Sequence, residues 1–190
     1  MTGITVGFAI CGSFCTFSKA IDQMKSLIDL GYNIIPIMSE NASKLDTKFG
    51  KANDFVNKIE NICGKKIINT IPKAEPIGPK NIADIIVIAP CTGNTLAKLS
   101  NAITDTPVTM AAKSQLRVKK PVLIALATND ALGATAQNVG KLLNAKNIFF
   151  VPMSQDDPEK KPNSLVAHFD MLLPSIEKAI NKEQIQPIFR

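Results

Sequence analysis

The sequence predicts a three-layer α/β/α fold built on a doubly wound parallel sheet, and three observations carry that expectation. Several short runs are apolar without alternation, as strands buried on both faces require. Segments with helical apolar spacing lie between them, so strand and helix alternate along the chain. Most of the strand-like runs end in turns rich in small and hydroxyl-bearing residues.

Taken in order, Ile4–Ile10 is the first strand and ends at Cys11-Gly12-Ser13. Phe17, Ala20, Ile21, Met24, Ile28 and Leu30 then recur at helical spacing, and Gly31 closes the helix. Ile34–Met38, opened by Asn33, is the second strand and completes a β-α-β unit with an expected right-handed crossover. Residues 41–50 are polar and read as a loop or short turn. Residues 52–63 read as a helix with Phe55, Val56, Ile59 and Ile62 on one face, and 67–71 as a short edge strand. Pro72, Pro76, Gly78 and Pro79 make the next stretch irregular. Ile85–Ala89 is a central strand expected to stop at Pro90. Helices are expected over 95–102 and 106–116, a second central strand over 121–127, a helix over 132–143 and a further strand over 147–151. The polar, proline-bearing stretch 155–163 reads as a mobile loop. A final amphipathic helix over 164–180 is expected to bend at Pro174. The whole pattern is Rossmann-like and is expected to form one domain over 1–190.

The composition is that of an ordinary folded chain: 190 residues, 45% hydrophobic and 20% charged, with a net charge of +6. The positive balance suits anionic partners. The lysines are scattered, however, and read first as a solvated surface; without a clustered basic stripe, nucleic acid is not an expected partner. Four cysteines, at 11, 15, 63 and 91, lack paired C-x-x-C spacing, so no metal site is expected and reduced thiols in a cytoplasm are. The start Met1-Thr2-Gly3-Ile4-Thr5-Val6 has no basic region before an apolar one and does not read as a signal peptide. No apolar run is long enough to span a membrane.

In a doubly wound sheet, ligands bind beyond the carboxyl ends of the strands. Four turns fall there: Cys11-Gly12-Ser13-Phe14-Cys15-Thr16, Ser39-Glu40-Asn41-Ala42-Ser43, Pro90-Cys91-Thr92-Gly93-Asn94-Thr95 and Thr128-Asn129-Asp130. Each offers hydroxyl or amide donors and leads towards a helix, whose first amides favour an anion. Any one turn reads equally as a plain helix cap; four at one rim point to a phosphorylated small molecule. Neither a G-x-G-x-x-G nor a P-loop pattern is present. Glu40 stands where an acid would hold a ribose, or is a surface charge. Cys91 reads as a packing residue. His168, the single histidine, is expected on the C-terminal helix, away from the strand ends.

The run Ala89-Pro90-Cys91-Thr92-Gly93-Asn94-Thr95-Leu96-Ala97-Lys98-Leu99, continued by Ile103-Thr104-Asp105, resembles the Pro-Ala-Ser-Ala-Asn-Thr motif of the FMN-binding flavoproteins, the family that includes phosphopantothenoylcysteine decarboxylase. Gly12-Ser13 resembles that family's phosphate-side turn and Ser39 its second hydroxyl position. Asn138 to Leu143 and the strand up to Pro152 are also similar, so the likeness runs from Ile4 to about Pro152. It implies a flavodoxin-like fold and an FMN site, with Gly12, Ser13, Thr16 and Ser39 near the phosphate. Thr92, Gly93, Asn94 and Thr95 would then run along the flavin ring or the substrate. Thr128 is a further cofactor contact, and Asn94 and Asn129 are the expected catalytic positions, with Lys19 a further candidate for a carboxylate. The decarboxylases' histidine after the first helix region has no counterpart here. Their Pro-x-Met-Asn stretch is matched by Leu126-Ala127-Thr128-Asn129, which keeps the asparagine and lacks the methionine.

A finer likeness lies in Ser154-Gln155-Asp156-Asp157-Pro158-Glu159-Lys160-Lys161-Pro162-Asn163-Ser164-Leu165-Val166 and in the Cys91–Thr95 variant of the central motif. Within the family these resemble one component of a two-subunit oxidoreductase. That implies an A-subunit partner similar to nicotinamide-dependent dehydrogenases, NADP brought by that partner, a small dicarboxylate substrate, and a homo-oligomer, trimeric or dodecameric. The loop at 155–163 would close over the site or dock the partner, and Asp156 and Asp157 suit docking or helix capping better than contact with a dicarboxylate. A non-catalytic subunit that scaffolds or activates the dehydrogenase is the alternative, and a stand-alone cysteine decarboxylase a more remote one.

Overall fold

The computed structural model describes residues 3–190; of the N-terminal reading, Met1 and Thr2 lie outside the described residues. Five strands form the parallel part of the sheet: β1 (Thr5–Ile10), β2 (Asn33–Met38), β3 (Ile85–Cys91), β4 (Val122–Thr128) and β5 (Ile148–Phe150). Their spatial order is β2-β1-β3-β4-β5. The chain therefore turns one way from β1 to β2 and the other way to reach β3, and the loops after β1 and β3 part to leave a crevice.

The helices are α1 (Phe17–Asp29), α2 (Glu40–Lys44), α3 (Ala52–Cys63), α4 (Ile71–Ala74), α5 (Gly93–Ser100), α6 (Pro107–Arg117), α7 (Ala136–Leu143) and α8 (Leu172–Ile180). They cover both faces of the sheet. Val6, Phe8, Ile10, Ile85, Val87, Leu123 and Ala125 pack on one side with Phe17 and Met24 of α1, Ile59 of α3 and Ile176 of α8. Ala9, Ile86, Ile88, Val122, Ile124 and Leu126 pack on the other with Leu96, Val108, Ala112, Val139 and Leu142. Successive strand residues thus alternate between two cores, which is why the runs read as continuously apolar.

The structure changes several expectations. The stretch after Met38 is not only loop: Ser39 accepts a hydrogen bond from Ala42 N at 3.2 Å and starts the short helix α2. The edge strand expected over 67–71 reduces to one bridge, Ile37 to Ile68, and Ile71 already belongs to α4. Pro90 does not end the central strand. β3 continues to Cys91 through a cis Ala89-Pro90 bond and a register shift against β4. Proline is tolerated there because the irregular pairing asks for no amide at that position.

Helix α7 starts at Ala136 rather than at 132, because residues 130–134 form turns. The C-terminal reading changes most. Two short antiparallel strands, β6 (Met153–Ser154) and β7 (Leu165–Ala167), form a hairpin whose loop is 155–164, and β7 pairs with the end of β4 through Ala127↔Val166. α8 begins only at Leu172, which puts Pro174 in its first turn, where no helical acceptor awaits its missing N–H, so the helix has no reason to bend. His168 is consequently not on the helix: it follows β7, and its Nε2 lies 2.9 Å from Ser154 Oγ across the hairpin. The last residues add to this edge, with Met153 N donating to Ile188 O and Arg190 N to Met153 O. Among the described residues, no helix is long and apolar enough to cross a membrane, and no group of acids, histidines or cysteines is placed to hold a metal ion.

Candidate functional site

Backbone hydrogen bonds tie the strand ends to one another. Cys11 N donates to Pro90 O at 3.1 Å, which joins the turn after β1 to the end of β3, and Ser39 N donates to Ile10 O at 3.0 Å, which joins β2 to β1. The turn after β1 passes through a single 3-10 turn, Phe14–Thr16, into α1, and Thr16 Oγ1 fastens it by donating to Ser13 O at 2.9 Å. After β3, Thr92 caps α5: its Oγ1 accepts from Thr95 N at 3.2 Å and donates to Thr95 Oγ1 at 3.1 Å. Thr95 Oγ1 in turn donates to the Cys11 thiol at 3.2 Å. The amides of Gly93 and Asn94, in the first turn of α5, have no acceptor among the described residues.

These turns border two adjoining cavities along the carboxyl edge of the sheet. One, of about 340 Å³, is lined by Gly12, Ser39, Asn41, Thr92, Asn94 and Thr95, with the Lys98–Asp105 ion pair at its side. The other, of about 600 Å³, is lined by Ser13, Thr16, Lys19, Lys48, Thr128 and Asn129, among others. Gly12, Phe14 and Thr92 border both, so the two are halves of one groove. Of the ten positions singled out in the sequence, nine line this groove. The tenth, Gly93, is buried beneath it and lets α5 approach β4: a Cβ there would sit 2.8 Å from Thr128 Oγ1 and 2.9 Å from Asp130 Oδ1. Ser39 and Thr95 are buried, and their hydroxyls hold the local fold; Asn94 and Asn129 are exposed to the groove.

Several lining residues had no sequence signal. Phe49 brings an aromatic ring to the groove and Lys48 an ammonium group; Phe14, from the turn after β1, and Lys161, from the loop expected to close over the site or dock the partner, join them. Phe49 and Lys48 lie in the loop between α2 and α3, and Lys161 and Asp156 in the hairpin loop, so only the tertiary fold shows where they end up. Asp156 bonds Lys161 at 2.8 Å.

The groups around the groove whose proton affinity shifts all move away from neutrality. Burial pushes the Cys11 thiol up to about 11. Burial, with the nearby Cys11 thiol, raises that of Cys91 well above its ordinary value. Both are packing thiols rather than thiolate nucleophiles. Hydrogen bonds from Thr128 at 2.6 Å and Thr135 at 2.8 Å hold the Asp130 carboxyl below its usual range. The bond from Lys161 does the same for Asp156. None of these shifts brings a group towards neutrality, so the shifted groups suit binding and orientation rather than proton transfer.

Comparison with known proteins agrees with the fold and the family. The flavoprotein family model matches residues 1–178. The chain is 46% identical over 188 residues to the B subunit of dipicolinate synthase from Bacillus subtilis, covering 99% of this chain and 94% of that one. The crystal structure of the dipicolinate synthase B subunit from Bacillus halodurans superposes with a TM-score of 0.91 at 45% identity, covering 99% of this chain and 96% of that one. The FMN-dependent cysteine decarboxylase SpaF shares the fold, with a TM-score of 0.68 at 21% identity over 94% of this chain and 96% of that one.

Proposed function

The chain belongs to the flavoprotein family, and from that premise we propose that it is the B subunit of a dipicolinate synthase. On this reading it acts as one domain over 1–190, with an A subunit, to oxidise dihydrodipicolinate to dipicolinate in the cytoplasm of a spore-forming bacterium's mother cell. The observation that carries the reading is the convergence of Gly12, Ser13, Ser39, Asn94 and Asn129 on one groove at the β1/β3 switch point.

The residues present fit an FMN. The two cavities, about 340 and 600 Å³, fall within the range of roughly 300–1,000 Å³ typical of small-molecule sites. Neutral donors from Ser39, Asn41 and Asn94, with the first amides of α5, suit a phosphate. The Phe14 ring, which borders both halves, offers an apolar face for a flat ring system. A flavin, when bound, supplies a hydride acceptor. The protein holds the substrate and fixes its orientation through Asn94, Asn129 and Lys19. The oxidation takes a hydride and a proton from the ring and leaves an aromatic pyridine. NADP⁺ brought by the A subunit would be the final acceptor of the hydride, and water would take the proton. A homo-oligomer, trimeric or dodecameric, is part of the same proposal.

One observation favours a second reading, a B subunit that scaffolds or activates the A subunit without chemistry of its own: the shifted groups of the groove all move away from neutrality, so none is tuned for proton transfer. Reconstitution separates the two. The A subunit alone should be inactive, and activity should appear with this chain and FMN, with the flavin spectrum bleaching during turnover. Full activity of the A subunit alone overturns the proposal. Activity that needs this chain but not FMN selects the scaffolding reading.

A further inference from the structure

The larger half of the groove gathers three ammonium groups from three separate elements. Lys19 comes from the first turn of α1, Lys48 from the loop between α2 and α3, and Lys161 from the β6–β7 hairpin loop. One acid, Asp156, shares this half with them, and it is already paired with Lys161 at 2.8 Å. Neither Lys19 nor Lys48 forms an ion pair among the described residues; Lys48 Nζ instead lies 5.3 Å from the centre of the Phe49 ring. The half-groove therefore carries two exposed ammonium groups without an ion-pair partner among the described residues, beside two aromatic rings, Phe14 and Phe49. An anion entering between two ammonium groups that have no carboxylate partner gains attraction from both, so the arrangement favours a ligand with two negative charges. The other half differs: its one lysine, Lys98, is spent on Asp105 through bonds of 2.8 and 2.9 Å, and its remaining donors are neutral.

We propose that Lys19 and Lys48 are the specificity-determining pair for the substrate, each taking one carboxylate of a flat, ring-bearing dianion that lies against Phe14 and Phe49. The Asp156–Lys161 pair closes the same half without adding net charge and keeps Lys161 from competing for the ligand. The assignment rests on the proposed oxidation of a dihydropyridine dicarboxylate to the pyridine dicarboxylate. It adds Lys48, which carried no signal in the sequence, and explains why one carboxylate is not enough.

The test is calorimetric titration of the full-length chain with dipicolinate and, separately, with the monocarboxylate picolinate, in the presence and absence of FMN. The K19Q and K48Q variants are compared with K51Q, a change at an exposed lysine outside the groove. Dipicolinate should bind about tenfold more tightly than picolinate, and K19Q and K48Q should each weaken dipicolinate about tenfold while leaving picolinate within about threefold. K51Q should change neither, and FMN affinity should be unaffected by K48Q. Equal affinities for the two acids, no binding of dipicolinate, or a K48Q variant indistinguishable from K51Q overturns the assignment. Selective dipicolinate binding without any FMN binding supports the lysine pair and sinks only the flavin part of the proposed function. FMN binding that K48Q abolishes assigns the lysine to the cofactor phosphate and overturns the proposal.

Discussion

Replacing Gly93 with alanine should destabilise the protein although it places a better helix former in the first turn of α5. Gly93 has no left-handed backbone angle, so strain at φ plays no part. What matters is space: the new methyl group would stand 2.8 Å from Thr128 Oγ1, 2.9 Å from Asp130 Oδ1 and 3.1 Å from Thr135 Oγ1. All three atoms belong to one hydrogen-bonded cluster, with bonds of 2.6 and 2.8 Å to the Asp130 carboxylate. These side chains are short and cannot swing aside without breaking those bonds. Each bond to a charged group is worth about 1.5–3 kcal/mol, with the lower end appropriate to an exposed carboxylate. Helix propensity returns at most about 1 kcal/mol. The net cost should be about 1–2 kcal/mol, or a fall in Tm of about 3–6 °C for a chain of this size. Urea unfolding followed by circular dichroism measures it. A T128A background removes the nearest oxygen, so the G93A cost there should shrink by about 1 kcal/mol. A G93A protein as stable as the parent, with no coupling to T128A, would refute the reasoning and the close approach of α5 to β4 behind it.

Three further outcomes are expected. At Gly78 an alanine methyl would meet the backbone oxygen of Ser114 at 1.9 Å, and a helix backbone cannot yield as a side chain can, so G78A should cost more than about 3 kcal/mol or prevent folding, as read by expression and unfolding. Of the four cysteines only Cys15 is exposed, while burial pushes Cys63 up to about 11 and raises Cys11 and Cys91; one thiol per chain should therefore react quickly with a disulfide reagent at mild alkaline pH, and C15S should abolish that phase. Hydrogen bonds from Thr128 and Thr135 hold the folded Asp130 carboxyl below the ordinary aspartate value, so the unfolded chain binds its proton first on acidification. The stability Asp130 adds is complete above about pH 4 and is lost as pH falls through the depressed folded value. The gap in urea midpoint between the wild type and D130N should be constant near neutrality and close in acid; a gap that widens on acidification contradicts the assignment.

What the sequence made legible follows from which signals are local. The parallel strands β1 to β5 were readable because a strand buried between two helical layers carries apolar residues on both faces, as Ile85 to Ala89 does. The turns after β1, β2, β3 and β4 were readable because hydroxyl residues at a strand end either cap a helix or face a ligand, and here Ser39 and Thr92 do the first at the edge of the groove. The β6–β7 hairpin was not readable. Its strands have two and three residues, too short for a period to show, and the apolar spacing of Leu165, Phe169 and Leu172 fits a helix as well as what forms. Pairing with the end of β4 decides the matter, and pairing is not local. The same non-local pairing moves His168 off the helix, and it holds Asp156 and Lys161 at the groove, where the loop at 155–163 is expected from the sequence either to close over the site or to dock a partner. Lys48 and Phe49 were hidden because a loop's composition does not say which cavity it borders.

The unequal charge of the two groove halves bears on which proposed role is the stronger. A scaffold that only positions a partner makes no use of two exposed ammonium groups at one cavity, Lys19 and Lys48, neither of which is in an ion pair among the described residues. A binding subunit has such a use. Neutral donors and the first turn of α5 suit a phosphate at one end, and Lys19 and Lys48 suit carboxylates at the other, so that a flat cofactor and a flat substrate would meet where Gly12, Phe14 and Thr92 border both halves. On the proposed oxidation the ring becomes aromatic only once a hydride and a proton have both left, so the reaction would depend on how the groove places the two rings and on water to take the proton. Because the proton leaves to water, the absence of a groove group shifted towards neutrality counts against proton transfer by the groove and not against its binding a cofactor and a substrate.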